Sequence, residues 1–284
     1  MKQVLYILAV VIIFVSHTFS QINPGARQIS LGNSDVAQSD DVFCLFNNPS
    51  GLRQMNWREV GIYYSPAPFG LTELSNAYLA YHEPVSIGSI GFGFSTYGFE
   101  LFRQSGILLG YSCNYQSIYF GLAVEYMQTT ISNYGSENSV LFNIGGLIYL
   151  SETMKWGFAI HNFSGATIGK ESDQLPMTLK FGFSYEPRNE LCLNFALDKE
   201  LNNMMSLTAG IEYNLVRHFY LRTGFTSQPD RFSAGMGLNY SIMQFDYAVF
   251  NHAELGLTHQ AGLIIHFTDD EPRSIKIKKN RAGK

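Results

Sequence analysis

Beyond residue 56, the sequence repeats segments of about ten residues in which apolar and polar side chains alternate. Successive side chains of a β-strand point to opposite faces, so this alternation predicts strands with one apolar face. The segment from Met177 to Tyr185 is typical, with Met, Leu, Phe and Tyr alternating with Thr, Lys, Gly and Ser. The pattern therefore predicts an all-β protein.

The second face of these segments indicates which kind of β protein this is. It carries Gly, Ser, Thr and Asn in place of the Lys and Glu that normally face bulk water, and aromatic residues collect at the segment ends. The chain contains 26 Gly, 22 Phe and 17 Tyr, a combination that favours a membrane barrel over a soluble sandwich. We predict a transmembrane antiparallel β-barrel of about fourteen strands over residues 57–267, with an apolar exterior and a small, polar interior. The aromatic positions at strand ends are Tyr64, Tyr81, Tyr111, Tyr126, Tyr149, Tyr185, Tyr213, Tyr240 and Phe267.

An even strand number places both barrel termini on the periplasmic side of an outer membrane and the longer loops outside. The longest predicted loops are Pro66–Glu73, Ser132–Asn138 and Ala166–Gln174, each after an odd-numbered strand. Tight links around Arg217 and Ile242 follow even-numbered strands.

The two ends of the chain differ from the barrel in composition. Residues 1–20 resemble an export signal: Lys2 precedes the apolar run Val4–Val15, and Thr18 and Ser20 supply small residues for cleavage before Gln21. A short membrane anchor is the alternative interpretation of this segment. Residues 268–284 form a polar, basic tail, for which we expect a solvated periplasmic extension or, alternatively, a docking peptide.

Residues 21–56 lack the alternation and are predicted to fold into the lumen as a plug. Arg27, Asp40 and Asp41 would then pair with charges on the inner wall, because buried charges need partners. A hard cation bound by Asp40 and Asp41 is a weaker alternative, since no further carboxylates lie close in sequence. The candidate wall charges are Glu125, Lys180, Glu212, Arg222 and Asp246.

This segment also carries a resemblance to a known family. It resembles the start of the PorV/PorQ branch of FadL-like outer-membrane proteins, in which an amino-terminal segment packs inside a fourteen-stranded barrel. The resemblance implies a Bacteroidetes-type outer membrane and a role in type IX secretion, with a secretion machinery or its cargo as partner. The wider FadL-like relatives imply passage of hydrophobic molecules. The matching residues are Gly25, Ala26, Arg27, Leu31, Gly32, Val36, Ala37, Asp40, Asp41, Asn48, Pro49, Ser50, Gly51 and Leu52.

Motifs for catalysis or cofactor binding are not found in the sequence. It contains no nucleophile elbow, zinc-protease motif, phosphate-binding loop or Cys-x-x-Cys pair, and Cys44, Cys113 and Cys192 are too scattered for a metal cluster. His259 falls on the lipid-facing register of the last strand, where an interfacial role is favoured over catalysis. We expect no enzymatic activity, cofactor or metal, and a sequence pI near 6.0 disfavours a nucleic-acid partner.

Two functions remain open from the sequence, with a lipid-interface enzyme as a third of low weight. The first is a non-enzymatic accessory of type IX secretion or surface attachment, which would recognise protein partners through its extracellular rim. The second is a FadL-like transporter of a small hydrophobic molecule through the lumen. Small inner-face residues either leave room for a ligand or allow a plug to pack closely, and an apolar lumen near Leu108 and Phe142 would favour transport. The loop residues expected to bind a partner are Pro66, Pro68, Phe69 and Leu71.

Overall fold

The computed structural model describes residues 24–168, 173–201, 203–252, 255–268 and 271–282, and the predicted export signal lies outside them. Fourteen antiparallel strands form a closed barrel, which confirms the predicted fold class. The barrel closes where Arg58 of the first strand pairs with Phe267 of the last. The barrel strands are β1 (Arg58–Ser65), β2 (Asn76–Val85), β3 (Gly88–Gly98), β4 (Phe102–Tyr115), β5 (Ile118–Ile131), β6 (Gly135–Tyr149), β7 (Met154–His161), β10 (Thr178–Arg188), β11 (Leu191–Glu200), β12 (Met205–Val216), β13 (Phe219–Ser227), β14 (Asp230–Tyr240), β15 (Met243–His252) and β16 (Gly256–Phe267).

The two ends of the barrel differ in their connections. At the end where β1 begins and β16 finishes, here called the terminal end, the strands are joined by short turns such as 86–87, 116–117 and 241–242. At the opposite end, the loop end, the longest connections are 66–75 and 162–177. The second of these contains a two-stranded hairpin, β8 (Thr167–Ile168) with β9 (Asp173–Gln174), and β7 pairs directly with β10 across it.

Alternation along each strand separates an apolar outer surface from the lumen. Large apolar side chains are exposed around the whole circumference, as expected where the surrounding medium is lipid. The register of β16 places His259 on this outer surface, where its Nδ1 lies 2.6 Å from the Tyr247 hydroxyl. Representative outward residues are Ile62, Leu79, Phe92, Leu109, Phe120, Leu122, Trp156, Phe181, Phe195, Ile211, Leu221, Met236 and Phe245.

The structure corrects the prediction of a long loop at Ser132–Asn138. Strands β5 and β6 continue to Ile131 and from Gly135, so that only three residues connect them. Polar residues sustain the ladder here, as in the 2.9 Å contact between the Thr130 and Ser136 hydroxyl groups. Asn133 and Gly135 have positive φ angles that close the turn.

The two segments outside the strands also have defined positions. Residues 24–57, here called the lumenal segment, are almost entirely buried and contain short helices at Ala26–Ser30 and Cys44–Asn47 and a 3₁₀ helix at Pro49–Gln54. Residues Arg273–Ala282 form a helix, the tail helix, that packs on the terminal end. The basic tail therefore differs from the expected solvated extension. None of the helices in the described residues has the length and apolarity needed to span a bilayer.

Candidate functional site: the filled lumen

A ring of inward-facing glycines holds the lumenal segment against the wall. A Cβ atom added to Gly121 of β5 would lie 2.2 Å from the Ser50 nitrogen, and one added to Gly224 of β13 would lie 2.2 Å from the Gly32 nitrogen. The segment's backbone thus touches the bare backbone of the strands, an approach that any larger residue would prevent. Gly157 and Gly210 also meet backbone atoms of the segment, whereas the wall glycines that lie against its side chains are Gly61, Gly91, Gly93, Gly110, Gly145, Gly182 and Gly235.

Two points of the lumenal segment show why its sequence folds this way. Gly32 has φ of +66° and its α-carbon lies against the Phe225 backbone, so both conformation and space require glycine. Asn48 donates through Nδ2 to the carbonyls of Val36 (2.7 Å) and Gly146 (3.2 Å), which ties the segment to itself and to β6. The Asn48 side chain also accepts from the Ser50 hydroxyl at 2.6 Å. These internal partners give the Asn-Pro turn a structural role.

Arg27 joins the lumenal segment to the barrel wall at β12. Its guanidinium forms a bidentate pair with Glu212 of β12, with both nitrogen–oxygen distances at 2.7 Å. It also lies 2.5 Å from Asp40 and 3.2 Å from Asp41 within the segment. Burial alone would lower the pKa of Arg27, but Asp40 and Glu212 outweigh burial and raise that pKa above its ordinary value. The charge on Arg27 is therefore fixed.

The ion pairs continue along the wall at the terminal end. Arg222 of β13 contacts Glu212 at 2.6 Å and Asp246 of β15 at 2.7 Å. Gln244 donates to Asp246 at 2.7 Å, so the Asp246 carboxylate also has a second partner. This group of charges is buried and mutually paired, as charges in a low-dielectric interior must be.

Asp41 and Asp35 of the lumenal segment show how buried carboxylates are accommodated in this interior. Asp41 accepts hydrogen bonds from the Gln28 amide at 2.8 and 2.9 Å and from the Phe43 nitrogen at 3.0 Å, at the start of the second helix. Asp35 accepts one hydrogen bond from Asn47 at 2.8 Å. Burial raises the pKa of Asp35 to about 6, despite the opposing charge of Lys180.

The lumenal segment meets β3–β6 through apolar contacts instead. Leu45 and Leu52 are fully buried and pack with Leu108 of β4, Tyr119 of β5 and Leu147 of β6. The segment is thus held by ion pairs on one side and by apolar packing on the other. The expectation that Phe142 lines the lumen is wrong: it lies on the outward-facing register of β6, between the buried Leu141 and Asn143, beside Phe163 with ring centroids 5.9 Å apart.

A second apolar cluster extends toward the loop end. Phe43 of the lumenal segment packs with Tyr63 of β1, and Phe250 of β15 belongs to the same buried cluster. Phe69, in the loop after β1, covers this cluster: its ring stacks edge-on against Phe250, with centroids 5.7 Å apart, and its nitrogen donates to the Thr258 hydroxyl at 2.9 Å. Phe69 adopts φ of 57°, an uncommon conformation for a bulky residue that costs about 1 kcal/mol or more.

The tail helix closes the terminal end. Arg273 lies 2.6 Å from Glu59 of β1 and donates to the Asp40 carbonyl at 2.7 Å, so that it links wall and lumenal segment. Ile277 is buried in the cluster that contains Trp57 and Tyr149, and the Arg281 guanidinium lies 3.6 Å from the centre of the Tyr149 ring.

The structure places the candidate residues from the sequence as follows. Glu212 contacts Arg27 directly, and Arg222 and Asp246 join the same network through Glu212, whereas the other two wall charges lie elsewhere in the lumen. Lys180 donates to Asn47 at 3.0 Å, and Glu125 lies beside Gly106 of β4. Among the described residues, no group of three or more His, Cys, Asp or Glu is arranged to hold a metal ion.

The loop expected to offer an exposed apolar surface is only partly exposed. Pro66 and Leu71 are exposed, but Pro68 is buried and Phe69 turns inward onto the lumenal cluster. The expectation that all four side chains face outward is therefore corrected. An inward aromatic contact stabilises Phe69, because aromatic burial outweighs the strain of its backbone.

Sequence reasoning missed the roles of Glu59 and Arg273. Glu59 accepts from the Trp57 indole at 2.7 Å and from the Val42 nitrogen at 3.0 Å, in addition to its pair with Arg273. A signal for the helix was present in the tail, since Arg273, Ile277 and Arg281 recur every four residues and therefore share one helical face.

Comparisons with known proteins show similarity of fold to solved structures, but no match to a sequence family. No protein-family model and no curated protein matches the chain. Among solved structures, the deltaS2 mutant of the TodX monoaromatic hydrocarbon channel aligns with a TM-score of 0.62 and 11% identity, over 87% of this chain and 99% of that one. A Pseudomonas aeruginosa FadL homologue gives 0.60 and 11%, over 86% and 97%. The Pseudomonas putida toluene transporter TodX gives 0.58 and 10%, over 80% and 92%. The chain thus has the fold of FadL-like outer-membrane barrels.

Proposed function

We propose that the protein is a non-enzymatic outer-membrane barrel that binds a small hydrophobic molecule at its loop end and passes it through the lumen. The observation that carries the proposal is the buried aromatic cluster of Phe43, Tyr63 and Phe250, which reaches the loop end and is covered there by Phe69. Ligand sites are typically apolar, concave and lined by aromatic side chains. The fold similarity to a toluene transporter agrees with this proposal.

Phe69 is central to the proposal because its ring occupies the place that an apolar ligand would take. Its backbone is strained, while Gly70 beside it has φ of 78° and an open surround that allows the loop to move. A hydrophobic molecule that displaces the Phe69 ring would replace one apolar contact by another and relieve the strain.

The experiment uses photo-crosslinking of benzophenone to the barrel in lipid nanodiscs, with labelled peptides identified by mass spectrometry. We expect labelling of the peptides that contain Phe43, Tyr63 or Phe250, and an increase of several-fold in Phe69→Ala. Leu71→Ala, an exposed residue of the same loop, is the control and should leave labelling unchanged. Labelling confined to outward residues such as Phe245, equal in all variants, would contradict the proposal.

A second candidate function rests on the glycine ring. A lumenal segment seated against bare backbone favours a closed barrel that acts as an anchor, and the resemblance to PorV/PorQ proteins suggests a secretion accessory with protein partners. Co-purification from solubilised outer membrane distinguishes the two functions. A stable protein partner without bound hydrophobic molecules favours the accessory, and a copurified apolar ligand favours the transporter.

A further inference from the structure

We propose that the tail helix is a releasable latch, which closes the terminal end of the lumen when docked and opens it when released. The inference rests on the proposed function in one respect, since a barrel that passes a molecule needs an exit at this end. Its physical basis is separate from the aromatic cluster at the loop end.

The contacts of the helix explain how it closes the lumen. Arg273 contacts the lumenal segment at Asp40 and the wall at Glu59, and its Nη2 donates to the Gln244 side-chain carbonyl of β15 at 3.2 Å. Asn280 donates to the Gln54 carbonyl at 3.1 Å. The helix therefore bridges the lumenal segment and the wall at several points, and its departure would free both surfaces together.

The same contacts show why the helix can be released. It is ten residues long, and isolated helices of this length are marginal in water, so that it depends on docking. Its anchors are side chains, chiefly the buried Ile277 and the charged Arg273 and Arg281, whereas the strands are joined by backbone ladders. Lys278 adds a contact with Glu186 at 3.6 Å.

A cavity beside the helix shows where the lumen would open. It has a volume of about 40 Å³ and lies between Arg273 and Ser274 of the helix, Arg27 of the lumenal segment and the wall at Cys192 and Glu212. Exposed residues 188–190 also line this space, so that it is already partly open at the terminal end, and departure of the helix would widen the opening along the ion-paired wall. The glycine contacts of the lumenal segment need not be broken, because they join the segment to the strands and not to the helix.

The native cysteines provide a direct test. Cys192 lines the cavity, whereas Cys44 is fully buried in the cluster that contains Leu45 and Leu52. The third thiol, Cys113, is partly exposed and is removed by Cys113→Ser. In this background we compare Arg273→Ala and Ile277→Ser with Lys279→Ala, whose exposed side chain pairs with Glu271 just before the helix. The barrels are reconstituted in vesicles, checked for heat-modifiable migration on gels, and treated with a small water-soluble maleimide.

The latch predicts that Cys192 reacts at least tenfold faster in Arg273→Ala and Ile277→Ser than in the parent, while Cys44 stays protected. Lys279→Ala should match the parent. Unchanged Cys192 reactivity, or equal acceleration of Cys44 and Cys192, would overturn the proposal, because the helix would then be inert or an ordinary part of the core. Benzophenone labelling at the loop end is measured on the same samples, so that a failed ligand hypothesis is recognised independently of the latch.

Discussion

The two sides of the lumen hold the same segment by different chemistry. Toward β12–β15, Arg27 reaches Glu212 within a network of buried ion pairs, and toward β3–β6, Leu45 and Leu52 pack among apolar side chains. Ion pairs fix geometry but cost desolvation, whereas apolar packing stabilises without directional constraint. The comparison suggests that apolar packing supplies most of the stability and that the ion pairs set the register of the segment.

The largest loss of folded protein is expected from substitutions in the glycine ring, which contacts the lumenal segment on both sides of the lumen. Gly121→Ala and Gly224→Ala each place a Cβ 2.2 Å from backbone atoms that cannot move aside, so we expect no correctly folded barrel from either variant. Gly262→Ala is the matched control, because its Cβ would meet its nearest neighbour at 3.6 Å. Recovery of heat-modifiable barrel after refolding measures the result. Normal recovery of Gly121→Ala and Gly224→Ala would show that the segment is not seated as described.

On the ion-paired side, Arg27→Met should cost about 3–5 kcal/mol, because it leaves Asp40 buried without its ion-pair partner and Glu212 with Arg222 alone. Urea unfolding in lipid vesicles measures the change. Adding Asp40→Asn should recover part of the loss, since the carboxylate that has lost its ion-pair partner is then removed. Arg58→Ala, which breaks an exposed pair with Glu83, should cause no measurable change. Equal losses in Arg27→Met and Arg58→Ala would contradict the buried network.

On the apolar side, Leu52→Ala should cost about 2–4 kcal/mol through loss of buried contacts and the remaining cavity. The loss should be the same at mildly acidic and neutral pH, because the side chains of the Leu52 cluster carry no charge. Leu71→Ala in the exposed loop is the control. A loss that varied strongly with pH would place Leu52 in an ionic setting and remove the contrast between the sides.

The smallest change in stability is expected from titration of Asp35. Because burial raises its pKa to about 6, the folded protein binds a proton that the unfolded chain has already released, and this contribution to stability falls as pH rises from about 4 to about 6. The effect is at most about 3 kcal/mol. Asp35→Asn should abolish this pH dependence and be more stable than the parent above about pH 6. Unfolding curves at several pH values test the sign, and a stability that rises over this interval in proportion to Asp35 ionisation would refute it.

Much of the fold follows from the sequence, because the alternation of side chains is local information. Met177–Tyr185 shows its strand directly, and Arg27 suggested a wall partner because a buried charge requires one. That Arg27 pairs with Glu212 and not with Glu125 depends on the strand register around the closed barrel, which no local sequence pattern encodes. The helix in the tail was not predicted, because the many charges drew attention away from the four-residue spacing of Arg273, Ile277 and Arg281. The inward position of Phe69 was not predicted, because an apolar loop residue can face either a partner protein or the lumen.

The central claim is that residues 24–57 fill the closed barrel as an ordered part of its fold. Hydrogen exchange of the full chain in lipid nanodiscs tests it most directly, by comparing peptides from this segment with peptides from β5 and from the loop 66–75. We expect the segment to be protected as strongly as β5 and for far longer than the loop. Exchange of residues 24–57 as fast as in the loop, with the strands still protected, would contradict it.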